Sequence, residues 1–212
     1  MNSIADIRQD YQLKTLNEVD VATNPIVQFG KWWDEAMHSN IDEVNAMTLA
    51  TATKQGMPSA RIVLLKGFDE NGFVFFTNYS SHKAQEIEEN NNVALLFFWK
   101  ELQRQVRIEG SIAKINTAAS DEYFNSRPEG SKIGAWASPQ SMAIPSRAFL
   151  EDKVKELENN FKEKQIPRPL HWGGYVVKPV LMEFWQGRSS RLHDRIQYRH
   201  IKNTWQIERL AP

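Results

Sequence analysis

Positively charged side chains cluster at four places in this sequence, three of them with aromatic residues or hydroxyls, and such groups bind anions. At the first place, Arg61 and Lys66 enclose four apolar residues: Ile62, Val63, Leu64 and Leu65. The apolar centre is typical of a strand that is buried on both faces. The alternation of a strand places Arg61 and Lys66 on opposite faces. The two cations therefore either mark the solvated ends of a core strand or bind one ligand at a sheet edge or subunit boundary.

The second place follows the next predicted strand, which includes Phe76 and Thr77. Ser81, His82 and Lys83 come shortly afterwards, at the start of a predicted helix. The free N–H groups and positive dipole end of a helix attract phosphate, and Lys83 would add a full charge. The alternative interpretation is an ordinary capped helix with a surface lysine.

The third place contains Tyr123, Arg127 and Ser131 at intervals of four residues. Tyr123 and Arg127 share one helix face if the helix persists that far. A phenol, a guanidinium and a hydroxyl together suit a phosphate, because the guanidinium can form two parallel hydrogen bonds. Otherwise these are scattered polar residues near a helix end.

The fourth place lies near the C-terminus, where Arg191, His193 and Arg195 alternate and would line one face of a strand. Cations that share a face repel each other unless an anion lies between them. Trp185 precedes them and could pack against a flat ring. The segment is either a ligand-binding strand or an exposed basic strand.

The composition excludes several classes of protein. Lys+Arg and Asp+Glu both number 26, which argues against a nucleic-acid-binding protein with its basic surface. The absence of cysteine excludes disulfides, thiolate metal sites and cysteine nucleophiles. The five histidines lack the short paired spacings of metal sites, so we expect no metal. No P-loop, dinucleotide-binding or nucleophile-elbow motif is present.

The chain also lacks the apolar segments that target proteins to membranes. Its first twenty residues are polar and charged, without the apolar centre of a signal peptide. No stretch approaches the roughly 18 consecutive apolar residues of a membrane span. We therefore expect a cytoplasmic protein without membrane contacts.

Short strands with turn signals between them dominate the chain. The predicted strands cover residues 47–53, 59–66, 73–77, 93–99, 103–115, 175–178 and 181–186, followed by a hairpin that turns at Lys202 and Asn203. The predicted helices cover residues 24–39, 81–90, 117–126 and 146–164. This order predicts a mainly β fold, a closed or nearly closed antiparallel barrel with helices outside. It argues against a Rossmann fold, which alternates strands and helices.

The same segments, in order, resemble the pyridoxine/pyridoxamine 5'-phosphate oxidase family from about Arg8 to the C-terminus. The matching stretches are Arg61 to Lys66, Phe76 to Asn78, Arg104 to Val106, Tyr123 to Pro128, Ile133 to Trp136, Gln140 with Ser141, Trp172 to Gly174, Glu183 to Gly187, Arg191 to Arg195 and Glu208 to Pro212. The resemblance implies an FMN-binding split β-barrel of Greek-key type, with FMN at a homodimer interface. Two subunits that each supply ligands would account for cations on opposite faces of one strand.

The resemblance also assigns domains and residues. Residues 24–212 would form one domain, with 171–212 in the barrel and the dimer interface, and residues 1–23 would be either a loose arm or a lid. The expected FMN ligands are Arg61, Ile62, Val63, Leu64, Leu65, Lys66, Phe76, Thr77, His82, Lys83, Gln105, Gln140, Ser141, Trp185 and Arg195. The expected substrate ligands are Arg8, Tyr11, Lys66, Tyr123, Arg127, Ser131, Arg191 and His193. Arg191 and His193 are the expected catalytic residues.

The implied activity is the oxidation of pyridoxamine or pyridoxine 5'-phosphate to pyridoxal 5'-phosphate, a step of vitamin B6 biosynthesis and salvage. The resemblance implies that hydride passes from the substrate carbon C4' to flavin N5 and that oxygen then reoxidises the flavin, with hydrogen peroxide as product. The amine substrate also releases ammonia. The chain departs from the family at His82, where the family usually has arginine, which predicts weaker or more pH-dependent FMN binding.

Two alternatives keep the FMN site but change the function. One is a related FMN oxidase that acts on a ring substrate without phosphate. The other is a non-catalytic carrier of FMN or pyridoxal phosphate. Tyr123, Arg127 and Ser131 argue against the first, and Arg191 and His193 would be unnecessary in the second.

Overall fold

The structure is a computed structural model that describes residues 3, 4 and 10–212. The helices are α1 (Pro25–Met37), α2 (His82–Glu89), α3 (Thr117–Ser126), α4 (Glu129–Ala137) and α5 (Arg147–Phe161). The strands are β1 (Ala46–Ala52), β2 (Pro58–Leu64), β3 (Gly67–Asp69), β4 (Gly72–Asn78), β5 (Asn92–Trp99), β6 (Arg104–Lys114), β7 (Trp172–Gln186), β8 (Asp194–Ile201) and β9 (Thr204–Arg209). Among these described residues, no helix is long and apolar enough to cross a membrane.

Local sequence signals explain several of these boundaries. Asn24 caps α1, since its side-chain oxygen accepts a hydrogen bond of 2.8 Å from the Ile26 N–H, and Pro25 is the first helical residue. The β8–β9 hairpin turns at Lys202 and Asn203, whose φ angles are 48° and 65°. Two positive φ angles are typical of the tight turns that match the twist of a hairpin. The predicted helix start and hairpin are both confirmed.

All strand pairs are antiparallel, and the main sheet has the order β2-β1-β5-β6-β7-β4-β3. The two edges of this sheet belong to one bent segment, because β2 continues into β3 through Leu65 and Lys66. The Lys66 N–H donates a 2.8 Å hydrogen bond to the carbonyl of Val74 on β4. The sheet therefore curls back on itself, and β8 and β9 extend it from β7. The predicted mainly β, barrel-like fold with flanking helices is confirmed.

Two apolar clusters hold the elements together. The larger cluster fills the interior of the curled sheet and includes Leu49, Phe75, Leu95, Val106 and Phe184, all completely buried. The smaller cluster lies under α3, α4 and α5, and its buried members are Phe124, Ile133, Ala135, Ile166 and Trp172. Because Trp172 belongs to β7, the smaller cluster fixes α3 and α4 against the sheet.

Several elements differ from the sequence-based predictions. Strand β3 was not predicted as a separate strand. The predicted strand face of Arg191, His193 and Arg195 is wrong, because Ser190 and Arg191 have positive φ angles in a turn and β8 begins only at Asp194. Helix α4 was not predicted, because Pro128, Gly130 and Gly134 indicate a turn; instead Pro128 precedes the first residue of a new helix. Strand β7 is continuous where two strands were predicted on either side of Pro179. A register shift at the Glu109/Gly110 step of β6 leaves Val180 unpaired, so a bulge accommodates the proline.

Candidate active site

A cavity of about 640 Å³ lies where β2 and β4 face α3 and α4. We call it the α3–α4 cavity. Its walls are Ile62, Val63, Leu64, Lys66, Phe76, Thr77, Asn78, Lys83, Tyr123, Arg127, Pro128, Ser131, Gly134, Ala135, Ser138, Gln140 and Trp172. The cavity therefore brings together predicted residues from three of the four anion-binding segments.

Lys83 is a buried cation on this cavity. It lies in the first turn of α2, and its Nζ donates hydrogen bonds to Thr77 Oγ1 (3.2 Å), Ser81 Oγ (3.1 Å) and Gln140 Oε1 (3.0 Å). Its partners are all neutral. Burial, and after it the nearby Arg61 guanidinium, lowers the pKa of Lys83 to about 8. An anion in the cavity would supply the missing negative charge.

Arg127 is the second cation, half-buried as a residue. Its guanidinium carbon lies 4.5 Å from the centre of the Trp172 ring, and its Nη1 is buried without a hydrogen-bond partner. Burial lowers the pKa of Arg127. A guanidinium that has lost water without gaining an acceptor is costly, so the cavity is complementary to a phosphate at this end as well.

Aromatic rings form the wall between the two cations. Phe76 stacks on Tyr123 with ring centres 3.9 Å apart, and on Trp172 at 5.5 Å. Gly174 pairs with Phe76 across β4 and β7, and a Cβ there would lie 2.8 Å from the Phe76 ring. Glycine at this position thus allows the strand to approach the ring closely.

Arg61 and His82 lie near the cavity but contribute no surface to it, and both face Glu86. Arg61 donates hydrogen bonds to Ser59, Thr51 and Glu86, the last at 3.2 Å. His82 Nε2 lies 3.6 Å from Glu86 Oε1, and 63% of its side chain is exposed. Burial alone would raise the pKa of Glu86, but the hydrogen bonds from Ser59 and Thr51 and the nearby Arg61 guanidinium outweigh it and lower the pKa.

The remaining residues of the first and third segments divide between cavity and core. Leu65 is buried in the larger apolar cluster rather than on the cavity. Tyr123 and Ser131 both line the cavity with Arg127. Ser141 follows Gln140 with a φ of 73° and does not line it.

The fourth segment forms a separate group, which we call the C-terminal cluster: Tyr11, Gln105, Trp185, Arg191, His193 and Arg195. Gln105, Trp185 and Arg195 are direct partners across β6, β7 and β8, so their side chains share one face of the sheet. The Trp185 ring lies 4.6 Å from His193 and 5.9 Å from Tyr11. No member of this cluster lines the α3–α4 cavity.

The backbone fixes the orientation of His193. The Arg188 N–H donates a 3.1 Å hydrogen bond to His193 Nδ1, so the neutral ring carries its proton on Nε2. Partial burial, and after it the Arg191 guanidinium, lowers the pKa of His193. Ser190 and Arg191 have φ angles of 56° and 62°, an unfavourable conformation for residues other than glycine. Asp10 Oδ1 accepts a hydrogen bond from the Ser190 N–H.

Gly187 allows Tyr11 to reach the cluster. A Cβ at Gly187 would lie 2.8 Å from Cβ and Cγ of Tyr11. We expect Gly187→Ala to displace Tyr11 and to change the fluorescence of Trp185, while Gly67→Ala, which meets no atom within 4 Å, leaves the spectrum unchanged. Emission spectra of both variants are compared with those of the same variants that also carry Trp185→Phe, so that the difference gives the emission of Trp185. Equal spectra for the Gly187 variant and the parent would contradict the contact.

The structure adds residues that sequence reasoning did not select. Trp172, Asn78 and Ser138 line the cavity. Glu183 binds Arg195 Nε at 2.7 Å and Arg107 Nη2 at 2.8 Å. Trp172, Asn78 and Glu183 lie within the stretches that resemble the family, and this resemblance could have identified them as site residues. Arg8 lies outside the described residues, so its predicted role stays a prediction.

A curled antiparallel sheet with flanking helices defines this protein as a member of the split-barrel class. Residues 33–161 match the family described as pyridoxamine 5'-phosphate oxidase. Residues 172–212 match the family described as the pyridoxine 5'-phosphate oxidase C-terminal dimerisation region. The chain belongs to the pyridoxamine 5'-phosphate oxidase family.

Full-length relatives agree with this assignment. A pyridoxine/pyridoxamine 5'-phosphate oxidase of Polynucleobacter asymbioticus is 55% identical over 212 residues and covers 100% of both chains. One from Cyanothece sp. is 53% identical over 210 residues, or 99% of each chain.

Solved structures show the same fold. PhzG from Burkholderia lata 383, in complex with tetrahydrophenazine-1-carboxylic acid, is 30% identical with a TM-score of 0.89, covering 94% of this chain and 99% of its own. A pyridoxamine 5'-phosphate oxidase-related, FMN-binding protein of Nostoc punctiforme is 17% identical with a TM-score of 0.70, covering 91% and 100%. The second likeness shows the fold alone.

Proposed function

We propose that this protein is an FMN-dependent oxidase that converts pyridoxamine or pyridoxine 5'-phosphate to pyridoxal 5'-phosphate with oxygen. The observation that carries the proposal is the pair of cations on one cavity, the buried Lys83 and the half-buried Arg127, neither of which has a carboxylate partner. An enzyme that binds a phosphorylated cofactor and a phosphorylated substrate needs two such positions. Hydrogen peroxide is the second product, and the amine substrate also releases ammonia.

The Lys83 end of the cavity suits the FMN phosphate. Lys83 donates from α2, with Thr77 and Gln140 beside it, and Arg61 adds charge through the same wall. Ile62 to Leu64 and Lys66 would lie along the flavin. When bound, the flavin accepts hydride from the substrate and passes the electrons to oxygen; the protein positions the rings and tunes the charge around them.

The Arg127 end suits the substrate phosphate. Arg127 Nη1 lacks an acceptor, and Tyr123 and Ser131 offer hydroxyls on the same cavity. A phosphate that accepts from all three would satisfy the buried donor and neutralise the guanidinium. Lys66 lines the same cavity and would contact the substrate ring.

A second subunit would complete the site. The C-terminal cluster does not line the α3–α4 cavity of its own chain. Four of its six members, Trp185, Arg191, His193 and Arg195, fall within the region matched by the family's dimerisation segment. In a homodimer, the cluster of one subunit would face the cavity of its partner. Arg191 would then lie over the substrate ring, and His193 would donate from Nε2 to the reacting substituent. Tyr11 and Arg8 would close the site from the N-terminal arm, residues 1–23, as a lid on the single domain 24–212.

Two other functions would make different demands on these residues. The relative PhzG is bound to a tricyclic acid without phosphate, and an enzyme of that kind has no use for the unpaired Arg127. A carrier of FMN or pyridoxal phosphate has no use for an oriented His193. The chain has no cysteine, so no disulfide requires an oxidising compartment, and we propose the cytoplasm.

A peroxide assay tests the proposed function. We expect the purified protein to release peroxide with pyridoxamine 5'-phosphate. Its kcat/KM should be at least tenfold lower with pyridoxamine, because pyridoxamine lacks the phosphate that Arg127 binds. Equal rates with both compounds would favour the oxidase of a substrate without phosphate. Binding of both FMN and the phosphorylated vitamer without peroxide release would favour the carrier.

FMN affinity should fall above about pH 8. Lys83 has a lowered pKa of about 8, so above that pH the apo-protein must take up a proton to bind the phosphate as an ion pair. Because one proton is taken up, FMN affinity should fall by up to about tenfold for each pH unit above that value. FMN titrations of wild type and Lys83→Arg from about pH 7 to about pH 9.5 test this, because arginine stays protonated throughout. Parallel profiles would show that Lys83 does not titrate on binding.

A further inference from the structure

The helix that precedes Arg127 does not determine the direction of the Arg127 side chain. Helix α3 ends at Ser126, and Arg127 has an extended backbone with φ −73° and ψ 149° before Pro128. The four-residue spacing from Tyr123 therefore does not place the two side chains on one helix face. A different contact must turn the guanidinium toward the cavity.

That contact is the indole of Trp172. The Arg127 guanidinium carbon lies 4.5 Å above the Trp172 ring centre, closer than the 5.6 Å that separates it from the Phe124 ring. The negative face of an indole attracts a cation, and the attraction strengthens when both groups are desolvated. Trp172 is 7% exposed, and the Arg127 Nη1 is buried, so both conditions hold.

The indole itself is held firmly in place. Trp172 pairs with Asn78 across β4 and β7, and its ring is nearly parallel to those of Phe76 (13°) and Tyr123 (6°). Its carbonyl accepts a 2.5 Å hydrogen bond from Arg168, which also binds Asp121 of α3 at 2.6 Å. The platform is thus tied both to the sheet and to α3.

We propose that Trp172 is a positioning residue that holds Arg127 ready for the substrate phosphate and so sets the preference of the site for phosphorylated ring compounds. The inference rests on the proposed function, since it takes Arg127 as the phosphate ligand. Holding the guanidinium over a ring leaves its N–H donors free for an incoming anion, whereas a carboxylate partner would occupy them. Binding then requires no ion pair to be broken.

A double-mutant cycle on binding tests the inference without relying on turnover. Dissociation constants of the FMN-loaded protein for pyridoxal 5'-phosphate and for pyridoxal are measured by calorimetry in wild type, Trp172→Leu, Trp172→Phe, Arg127→Ala and the combined variants. We expect Trp172→Leu to weaken pyridoxal phosphate binding roughly tenfold and Trp172→Phe about threefold, following the order of ring strength. Pyridoxal binding should change by less than about twofold.

In the Arg127→Ala background, either Trp172 substitution should have almost no further effect, because the group that Trp172 positions is gone. A merely structural role predicts the same loss in both backgrounds, and that result would overturn the inference. If Trp172→Leu fails to fold, the same comparison with Trp172→Phe decides. Trp136→Phe, which alters another tryptophan packed against the smaller cluster but off the cavity, is the matched control and should leave both constants unchanged.

The outcome separates this inference from the proposed function. If the binding constants follow the expected cycle but wild type releases no peroxide, the result contradicts the oxidase and supports the role of Trp172. If wild type oxidises the substrate but the losses of pyridoxal phosphate affinity in the single variants add up in the combined variants, the result supports the oxidase and overturns the role of Trp172. Wild type that binds pyridoxal and its phosphate equally overturns the inference as well.

Discussion

Lys83→Ala should weaken FMN binding by about 1.5–3 kcal/mol, or roughly 10- to 150-fold in the dissociation constant. The ammonium of Lys83 lies on the cavity with three neutral partners and no carboxylate, so a bound phosphate is its natural counter-ion. Removing it deletes a charge-assisted hydrogen bond in a largely buried position. Flavin fluorescence quenching during titration of apo-protein measures the change.

A matched control separates this effect from a general loss of charge. Lys155 is exposed on α5 and lies 3.9 Å from Asp152, so Lys155→Ala should leave FMN binding unchanged. Thermal unfolding of both apo-variants should show that the fold persists. An unaltered FMN dissociation constant for Lys83→Ala would place the cofactor phosphate elsewhere.

Arg191→Lys should reduce kcat/KM at least tenfold, which is about 1.4 kcal/mol, with little change in FMN affinity. Arg191 lies at the end of a turn with two residues at positive φ, and its guanidinium is close enough to His193 to lower the pKa of that ring. A guanidinium offers a planar set of donors over the substrate ring, whereas an ammonium is a compact point charge. Lysine keeps the charge, so orientation should suffer most.

Steady-state peroxide release with pyridoxamine phosphate, together with an FMN titration, measures the two effects separately. If Arg191 acts mainly in the transition state, kcat and kcat/KM fall together; if it serves ground-state binding equally, KM alone rises. Arg199→Lys, an exposed position on β8, is the control. A loss that excess FMN fully restores would assign Arg191 to the cofactor site instead.

Local pattern was sufficient to predict most elements, because helix caps and turn residues act over a few positions. Asn24 with Pro25 predicted the start of α1, and Lys202 with Asn203 predicted the last hairpin. The continuous strand β7 escaped prediction because Pro179 normally interrupts a strand, and the bulge that accommodates it depends on β6. Such a feature exists only once two strands pair.

The site was predictable in its residue types but not in its assembly. Spacing alone left each cation segment open between a ligand site and a solvated surface, and the family resemblance resolved them. Spacing also misjudged how Arg127 reaches the cavity, since Trp172 lies 45 residues further along the chain and its contact depends on the tertiary fold. The separation of the C-terminal cluster from the cavity likewise appears only when the strands are placed.

The central claim is that one site binds FMN and a phosphorylated B6 vitamer so that hydride passes between them. The most direct measurement is an absorption spectrum of the FMN-loaded protein, without oxygen, before and after pyridoxamine 5'-phosphate is added. We predict that the flavin bands bleach with the phosphate ester and return when oxygen is admitted. Bands that stay unchanged with both phosphorylated vitamers, in protein that holds a full complement of FMN, would contradict the account.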